Sequence, residues 1–305
     1  MNGYVDAPVS PAPTAQSRFA SPSKAANDAR KPLGDAQPTT APWSPEKIAS
    51  FYGAYAAKYD QEIEADLAAY PAPFVLGAWV IEWLRAHGKD LLAQNTAVQV
   101  LDVGTTTPYS IVDAVNAPAM QAAECEPVLR VLDLGCGTGQ SSRMLFRAQS
   151  DRDMPAPVEV HGIDTTMEML ERAAARPFTS LTCANIEHLL PYAIHAFHAV
   201  ICVGVMEFVA DVGGLLDQLS RITTAPPHGD GAPAPVVAVT MPERAPGVAS
   251  ERADGDLNAW TRAEMEAMFA ARGWWVERHE RMHGYADSQT GAVTYYHAFL
   301  LQKRA

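Results

Sequence analysis

Gly135, Gly137 and Gly139 alternate through VLDLGCGTGQ, residues 131–140, directly after an apolar run. Glycines at this spacing let the backbone adopt positive φ and approach a ligand closely, and a helix that follows offers its free N–H groups. Taken alone, the loop is as much a tight strand-to-helix turn as a binding loop. Asp164 closes the next apolar run, VEVHGID, 29 residues after Gly135 (164 − 135). A carboxylate at the end of a second strand can accept both hydroxyls of a ribose. It can also cap the helix that starts near Thr166, and one Asp can do both. Asn185 and Glu187 follow the third run in CANIEHLLP, and Glu207 follows the fourth in FHAVICVGVMEFVAD. Strand, glycine loop, acid, polar residue and aromatic turn in this order point to the binding of a nucleoside-bearing cofactor. Gln140 stands where a dinucleotide fingerprint has Gly or Ala, which disfavours a nicotinamide cofactor.

Such residues need a sheet to hold them. Beyond residue 128, short apolar runs predict strands at 128–134, 158–163, 179–183, 197–203, 235–240, 274–281 and 292–301. Helices are predicted near 139–149, 166–175, 211–222 and 261–272, the last opened by a Thr261–Glu264 capping box. This alternation implies a mostly parallel sheet covered on both faces. The last two strands are separated only by a loop around 287–291, which predicts an antiparallel hairpin. Its final strand alternates Val293, Tyr295, His297, Phe299 and Leu301 against Tyr296 and Leu300.

Ahead of this core, Ser44-Pro45 marks a helix start. Ile48, Phe51, Tyr52, Tyr55, Tyr59, Ile63 and Leu67 then recur at helical spacing until Pro71 and Pro73. A second helix carries Phe74, Val75, Trp79, Ile81, Trp83 and Leu84, and His87-Gly88 predicts its end. The expected organisation is a Pro/Ala/Ser-rich disordered tail over 1–43 and one domain over 44–305. Within the domain lie a helical lid (44–90), an insertion (102–127) and an α/β core (128–305). VLDVGTTTPYS, residues 100–110, imitates the glycine-loop strand thirty-one residues early (131 − 100), and the insertion between the copies is what the family resemblance given below implies from its usual spacing. Thr105, Thr106 and Thr107 are β-branched and Pro108 lacks an N–H, so this copy cannot wrap a ligand.

Composition narrows the function. Asp plus Glu number 35 against 23 Lys plus Arg, a net charge of −12, and no basic stripe tracks phosphates, so nucleic acid is not an expected partner. No apolar run reaches bilayer length. The four cysteines form no CxxC pair, so neither a metal site nor a disulfide framework is expected, and a reducing, cytoplasmic compartment fits.

VLDLGCGTG, GID, NIE and VICVGVMEFV resemble the sequential motifs of class I S-adenosylmethionine-dependent methyltransferases. KIASFYGAYAAKYDQE, residues 47–62, and HGIDTTMEMLERA are similar to the methyltransferase-like proteins named for the Williams–Beuren region. The resemblance covers roughly residues 47–220 and implies a Rossmann-like α/β fold with a seven-stranded, mostly parallel sheet. It implies an antiparallel C-terminal hairpin and an N-terminal helical lid. It further implies that Asp133, Gly135, Cys136, Gly137 and Gly139 surround the methionine moiety of the cofactor and that Asp164 and Thr165 meet the ribose. Asn185 would meet the adenine amine, Ile186 and Val203 would flank it, and Tyr55 and Tyr59 would close over it. Two positions depart from the family pattern: Asn185 replaces an Asp, and His198 follows Phe197 where an Asp is usual.

The reaction so implied is in-line methyl transfer to a small-molecule acceptor, for which alignment alone can supply about 7–11 kcal/mol. An oxygen nucleophile also needs a base. Glu207 is the candidate nearest the expected acceptor pocket, with His283 and His297 further off on the hairpin. Two other readings compete: a non-catalytic protein that binds the adenosyl ligand or acts as a scaffold, and, disfavoured by Gln140, an NAD-dependent oxidoreductase. The sequence sets no oligomeric state.

Overall fold

The apolar runs pair into one seven-stranded sheet, seen in a computed structural model that describes residues 43–66, 70–95, 127–223, 233–244, 257–286 and 293–303. Its strands are β1 (Leu129–Leu134), β2 (Val158–Asp164), β3 (Ser180–Cys183), β4 (Ala199–Cys202), β5 (Val236–Pro242), β6 (Trp274–Ala286) and β7 (Val293–Lys303). They lie in the order β3-β2-β1-β4-β5-β7-β6. β1 to β5 are parallel, whereas β7 runs antiparallel to both β5 and β6. The chain starts at β1, fills one side through β3 and returns to place β4 beside β1. Strand order therefore reverses between β1 and β4, which is where an open α/β sheet has its ligand crevice.

Helices cover both faces because the central strands are apolar on both. Leu129 and Val131 of β1 share one core with Val160, Ile201 and Ala238, beneath α2 (Ala72–Asn95). Leu132 and Leu134 share the other with Val200 and Val239, under α5 (Val212–Thr223) and α6 (Arg262–Ala270). β7 obeys the expected alternation, with Tyr296, Ala298 and Leu300 in the first core and Phe299 and Leu301 in the second. The capping box is complete: Thr261 N donates to Glu264 Oε2 at 2.7 Å, and Glu264 N to Thr261 Oγ1 at 3.4 Å.

Several boundaries depart from the sequence expectation. α2 does not stop at His87-Gly88 but continues to Asn95, burying Leu91. Gly88 serves packing instead of termination, since a Cβ there would lie 2.6 Å from Pro155 Cγ and 3.0 Å from Leu129 Cδ1. Gly88→Val is expected to destabilise the protein by about 2 kcal/mol despite removing a helix glycine, as chemical denaturation would show. The helix expected from residue 139 begins only at Arg143, as α3 (Arg143–Ala148). Ser141 and Ser142 turn their hydroxyls down onto Asp133 Oδ2, at 2.6 and 2.7 Å. Trp43, assigned to the tail, packs edge-on against Phe51 and Phe208 with ring centroids 5.7 and 5.6 Å away. The remainder of that tail, the 100–110 repeat, the 102–127 insertion and the 287–291 loop lie outside the described residues.

The unusual His198 has a structural role. Its Nδ1 accepts from Arg130 N at 2.9 Å, and its own backbone N–H donates to Arg130 O at 2.9 Å. Burial pushes its pKa down to about 4, so the ring stays neutral and Nδ1 keeps the lone pair it needs to accept.

Candidate functional site

The C-terminal ends of β1, β2 and β4 open into a cleft. Its floor is the glycine loop, where Gly135, Gly137 and Gly139 have φ values of 70°, 50° and 87°. They use this conformation differently. A Cβ on Gly135 would meet Val205 Cγ2 at 2.4 Å, and one on Gly139 would meet Phe178 Cε2 at 2.7 Å; one on Gly137 would meet nothing within 4 Å. Gly137 is thus the point at which bare backbone faces the cleft.

Asp164 ties the two sides of the floor together. Its Oδ2 accepts from Gly137 N at 2.8 Å and its Oδ1 from Thr166 N at 2.8 Å. It lines the cleft and holds the turn ahead of α4 (Met167–Ala173), whose N-cap is Thr166 with no side-chain cap bond, so the expected capping role is not what Asp164 does. Burial raises its pKa, and these backbone N–H groups pull it back.

Thr165, Asn185, Ile186 and Val203 also line the cleft. Asn185 Oδ1 accepts from Glu187 N at 2.9 Å, which fixes the carboxamide at the cleft edge. Tyr59 lines the cleft from α1 (Pro45–Asp66). Tyr55 is not in the wall; its ring packs against Phe51 and Tyr59, at 6.0 and 5.6 Å. Asp133, Cys136 and Gly139 do not line the cleft either. Asp133 is fully buried beneath the loop, its Oδ1 without a hydrogen-bond partner among the described residues, and burial pushes its pKa up to about 6. Cys136 is buried against β2, its Sγ 2.8 Å from where a Cβ on Gly162 would stand. Glu207 lies just behind the wall.

Pro45, Ile48 and Tyr52 of α1, with Phe208 and Val209 after β4, complete the wall. Sequence reading gave Ile48 and Tyr52 only to a packing face, because an apolar stripe looks the same whether it covers a core or a cleft. α1 is held down by Asp60, which accepts from Thr138 Oγ1 in the loop and pairs with Arg176 Nη2 at 2.9 Å. Arg176 Nε also donates to Thr138 O at 2.6 Å. Asp60→Ala is expected to weaken ligand binding about tenfold, the ~1.4 kcal/mol of one lost charged hydrogen bond. Amide exchange in α1 should accelerate while the sheet stays protected; unchanged exchange in α1 would show that Asp60 does not hold the helix.

Among the described residues, no group of three or more His, Cys, Asp or Glu is placed to hold a metal ion, and no helix is long and apolar enough to cross a membrane.

The strand order and this floor define a Rossmann-like class I methyltransferase fold. Residues 132–225 match a family described as a methyltransferase domain. The chain is also similar to the trans-aconitate 2-methyltransferase of Pseudomonas aeruginosa, 37% identical over 91 residues, 30% of either chain. A malonyl-[acyl-carrier protein] O-methyltransferase of Halorhodospira halophila is 35% identical over 98 residues, 31% of either chain. The chain therefore spans only about three tenths of the length of these curated relatives. A solved methyltransferase from Geobacter sulfurreducens, in complex with S-adenosyl-L-homocysteine, aligns over 59% of this chain and 86% of its own at 18% identity, with a TM-score of 0.41.

Proposed function

We propose that this protein is an S-adenosylmethionine-dependent methyltransferase acting on a small molecule. One observation carries the choice of cofactor: the floor is built to receive a nucleoside and a cation, not a pyrophosphate. A dinucleotide needs the free N–H groups of the loop and of the helix after it. Here Asp164 already takes the loop's Gly137 N, and the hydroxyls of Ser141 and Ser142, ahead of α3, donate inward to Asp133. Asp164 and Glu187 line the cleft, and Asp133 and Glu207 lie behind it. Carboxylates at these positions favour a positively charged ligand and repel phosphates.

Bound there, S-adenosylmethionine supplies an activated methyl group on a sulfonium. Asp164 would accept the ribose hydroxyls. Asn185 would orient the adenine and Ile186 would pack on it. Gly137 would let the methionine portion lie against backbone, above the unpartnered Oδ1 of Asp133. Tyr52 and Tyr59 would close the cleft from α1 and exclude water.

The small-molecule acceptor is supported by the names of the two curated relatives, one a trans-aconitate methyltransferase. The α1 sequence supports placing the chain beside the Williams–Beuren-region proteins. Incubation with tritiated methyl donor and fractionated metabolite pools tests transfer. Label in a small-molecule fraction is expected; ligand binding without any transfer would favour a scaffolding role.

A further inference from the structure

The wall of the cleft beyond β4 is a turn held from outside. Its chain runs through the short turn Met206–Phe208 toward α5, and Gly204, Val205, Phe208 and Val209 line the cleft. The local bonds, Phe208 N to Val205 O at 2.9 Å and Val209 N to Met206 O at 3.3 Å, leave Glu207 O and Val209 O to be satisfied elsewhere. Carbonyls in a buried turn need such partners. Both find one in Asn258, 49 residues beyond Val209. Its backbone N donates to Glu207 O at 2.8 Å and its Nδ2 to Val209 O at 2.6 Å.

Asn258 stands on a firm support. Two residues on, Trp260 N donates to Pro242 O at 3.1 Å and Trp260 O accepts from Arg244 N at 2.9 Å, which joins the segment to the end of β5. Thr261 then opens α6 with its capping box, and Arg244 pairs with Glu264 of that box at 2.5 Å. On the far side of the turn, Ala210 N donates to Glu187 Oε1 at 2.5 Å, which ties it to the loop after β3. What the clamp holds reaches α1. The Phe208 ring meets Trp43 and Tyr52 edge-on, with centroids 5.6 and 5.9 Å away, and Tyr52 in turn meets Tyr59 at 6.3 Å. The first half of α1 therefore rests on Phe208, as its last turns rest on Thr138 and Arg176 through Asp60.

We propose that Asn258 is a positioning residue for the bound cofactor: by clamping Glu207 O and Val209 O it fixes Phe208 and Val209 in the wall and, through Phe208, the seat of α1 over the ligand. This rests on the S-adenosylmethionine reading. Asn258 is not itself in the wall, so it acts only through the turn.

Calorimetric titration of the full chain with S-adenosylhomocysteine tests the clamp. Asn258→Ala deletes the Nδ2 bond alone and should weaken binding about tenfold, the effect of one buried carbonyl left without its donor. Amide exchange in the first half of α1 should accelerate while β5 and α6 stay protected. Gly88→Val is the control: it lowers stability from a packing contact away from the cleft and should bind with native affinity. Asn258→Asp keeps the shape but sets a carboxylate against Val209 O. At about pH 7.5 it should bind at least as weakly as Asn258→Ala. Toward about pH 5.5 it should recover, because the facing carbonyl raises its pKa and the protonated carboxyl donates again. Each affinity is taken relative to the native chain at the same pH, so titration of Asp164, Glu187 and Glu207 cancels. A role in packing alone gives no such recovery. Native affinity in Asn258→Ala, an equal loss in Gly88→Val, or no relative recovery of Asn258→Asp would each overturn the clamp. Should Asn258→Ala fail to fold, the recovery of Asn258→Asp decides. No binding by the native chain would instead overturn the cofactor reading.

Discussion

Asp164→Ala is expected to weaken S-adenosylhomocysteine binding at least about 100-fold, roughly 2.7 kcal/mol. Three effects combine. In the proposed role the ribose hydroxyls lose a charged acceptor, Gly137 N loses the bond that fixes the loop, and Thr166 N loses its acceptor ahead of α4. Only the last two act without ligand, and they should lower stability by about 1–2 kcal/mol. Asp164→Asn is a sharper probe. Its carbonyl can still accept from Thr166 N, but its NH₂ would turn toward Gly137 N, donor against donor. Its stability should stay nearer native while most of the affinity is lost. Calorimetric titration beside urea denaturation separates the two quantities. Native affinity in either variant would remove Asp164 from the ribose site.

Gly137→Val should produce a comparable loss of affinity by a different route. A side chain at φ 50° is strained by about 1–2 kcal/mol, yet it meets no protein atom within 4 Å. The added volume projects into the cleft, so the variant should fold and fail to bind. Gly135→Val reverses the pattern, because its Cβ would lie 2.4 Å from Val205 Cγ2; stability should fall first. Thermal melts of the two variants with and without S-adenosylhomocysteine check the contrast: the ligand should raise the melting temperature of the native protein and leave that of Gly137→Val unchanged.

The sheet was legible in the sequence because its signals are local. Buried runs of four to seven residues, a complete capping box and period-two alternation in β7 each report their own environment. The glycine loop and Asp164 were legible for the same reason, since one turn and one strand end contain them. What was hidden depends on contacts between distant segments. Gly88 carries the local signature of a helix end, but Pro155 and Leu129, which explain it, are far along the chain. Asp60 is separated from Thr138 and Arg176 by 78 and 116 residues, and nothing near it marks a latch. Tyr52 and Ile48 share their spacing with ordinary core residues. Asp133 and Gly139 occupy their motif positions yet support the loop from beneath and beside it. Glu207 was placed near the acceptor by its position after β4; its burial and its bond to Tyr296, 89 residues away, appear only in three dimensions.

The central claim is that the cleft takes a cationic nucleoside and rejects a pyrophosphate. Calorimetric titration of the full chain with S-adenosylmethionine, S-adenosylhomocysteine and NAD tests it most directly. Both sulfur ligands should bind once per chain, and NAD should neither bind nor compete. Saturable NAD binding with no response to either sulfur ligand would contradict the account.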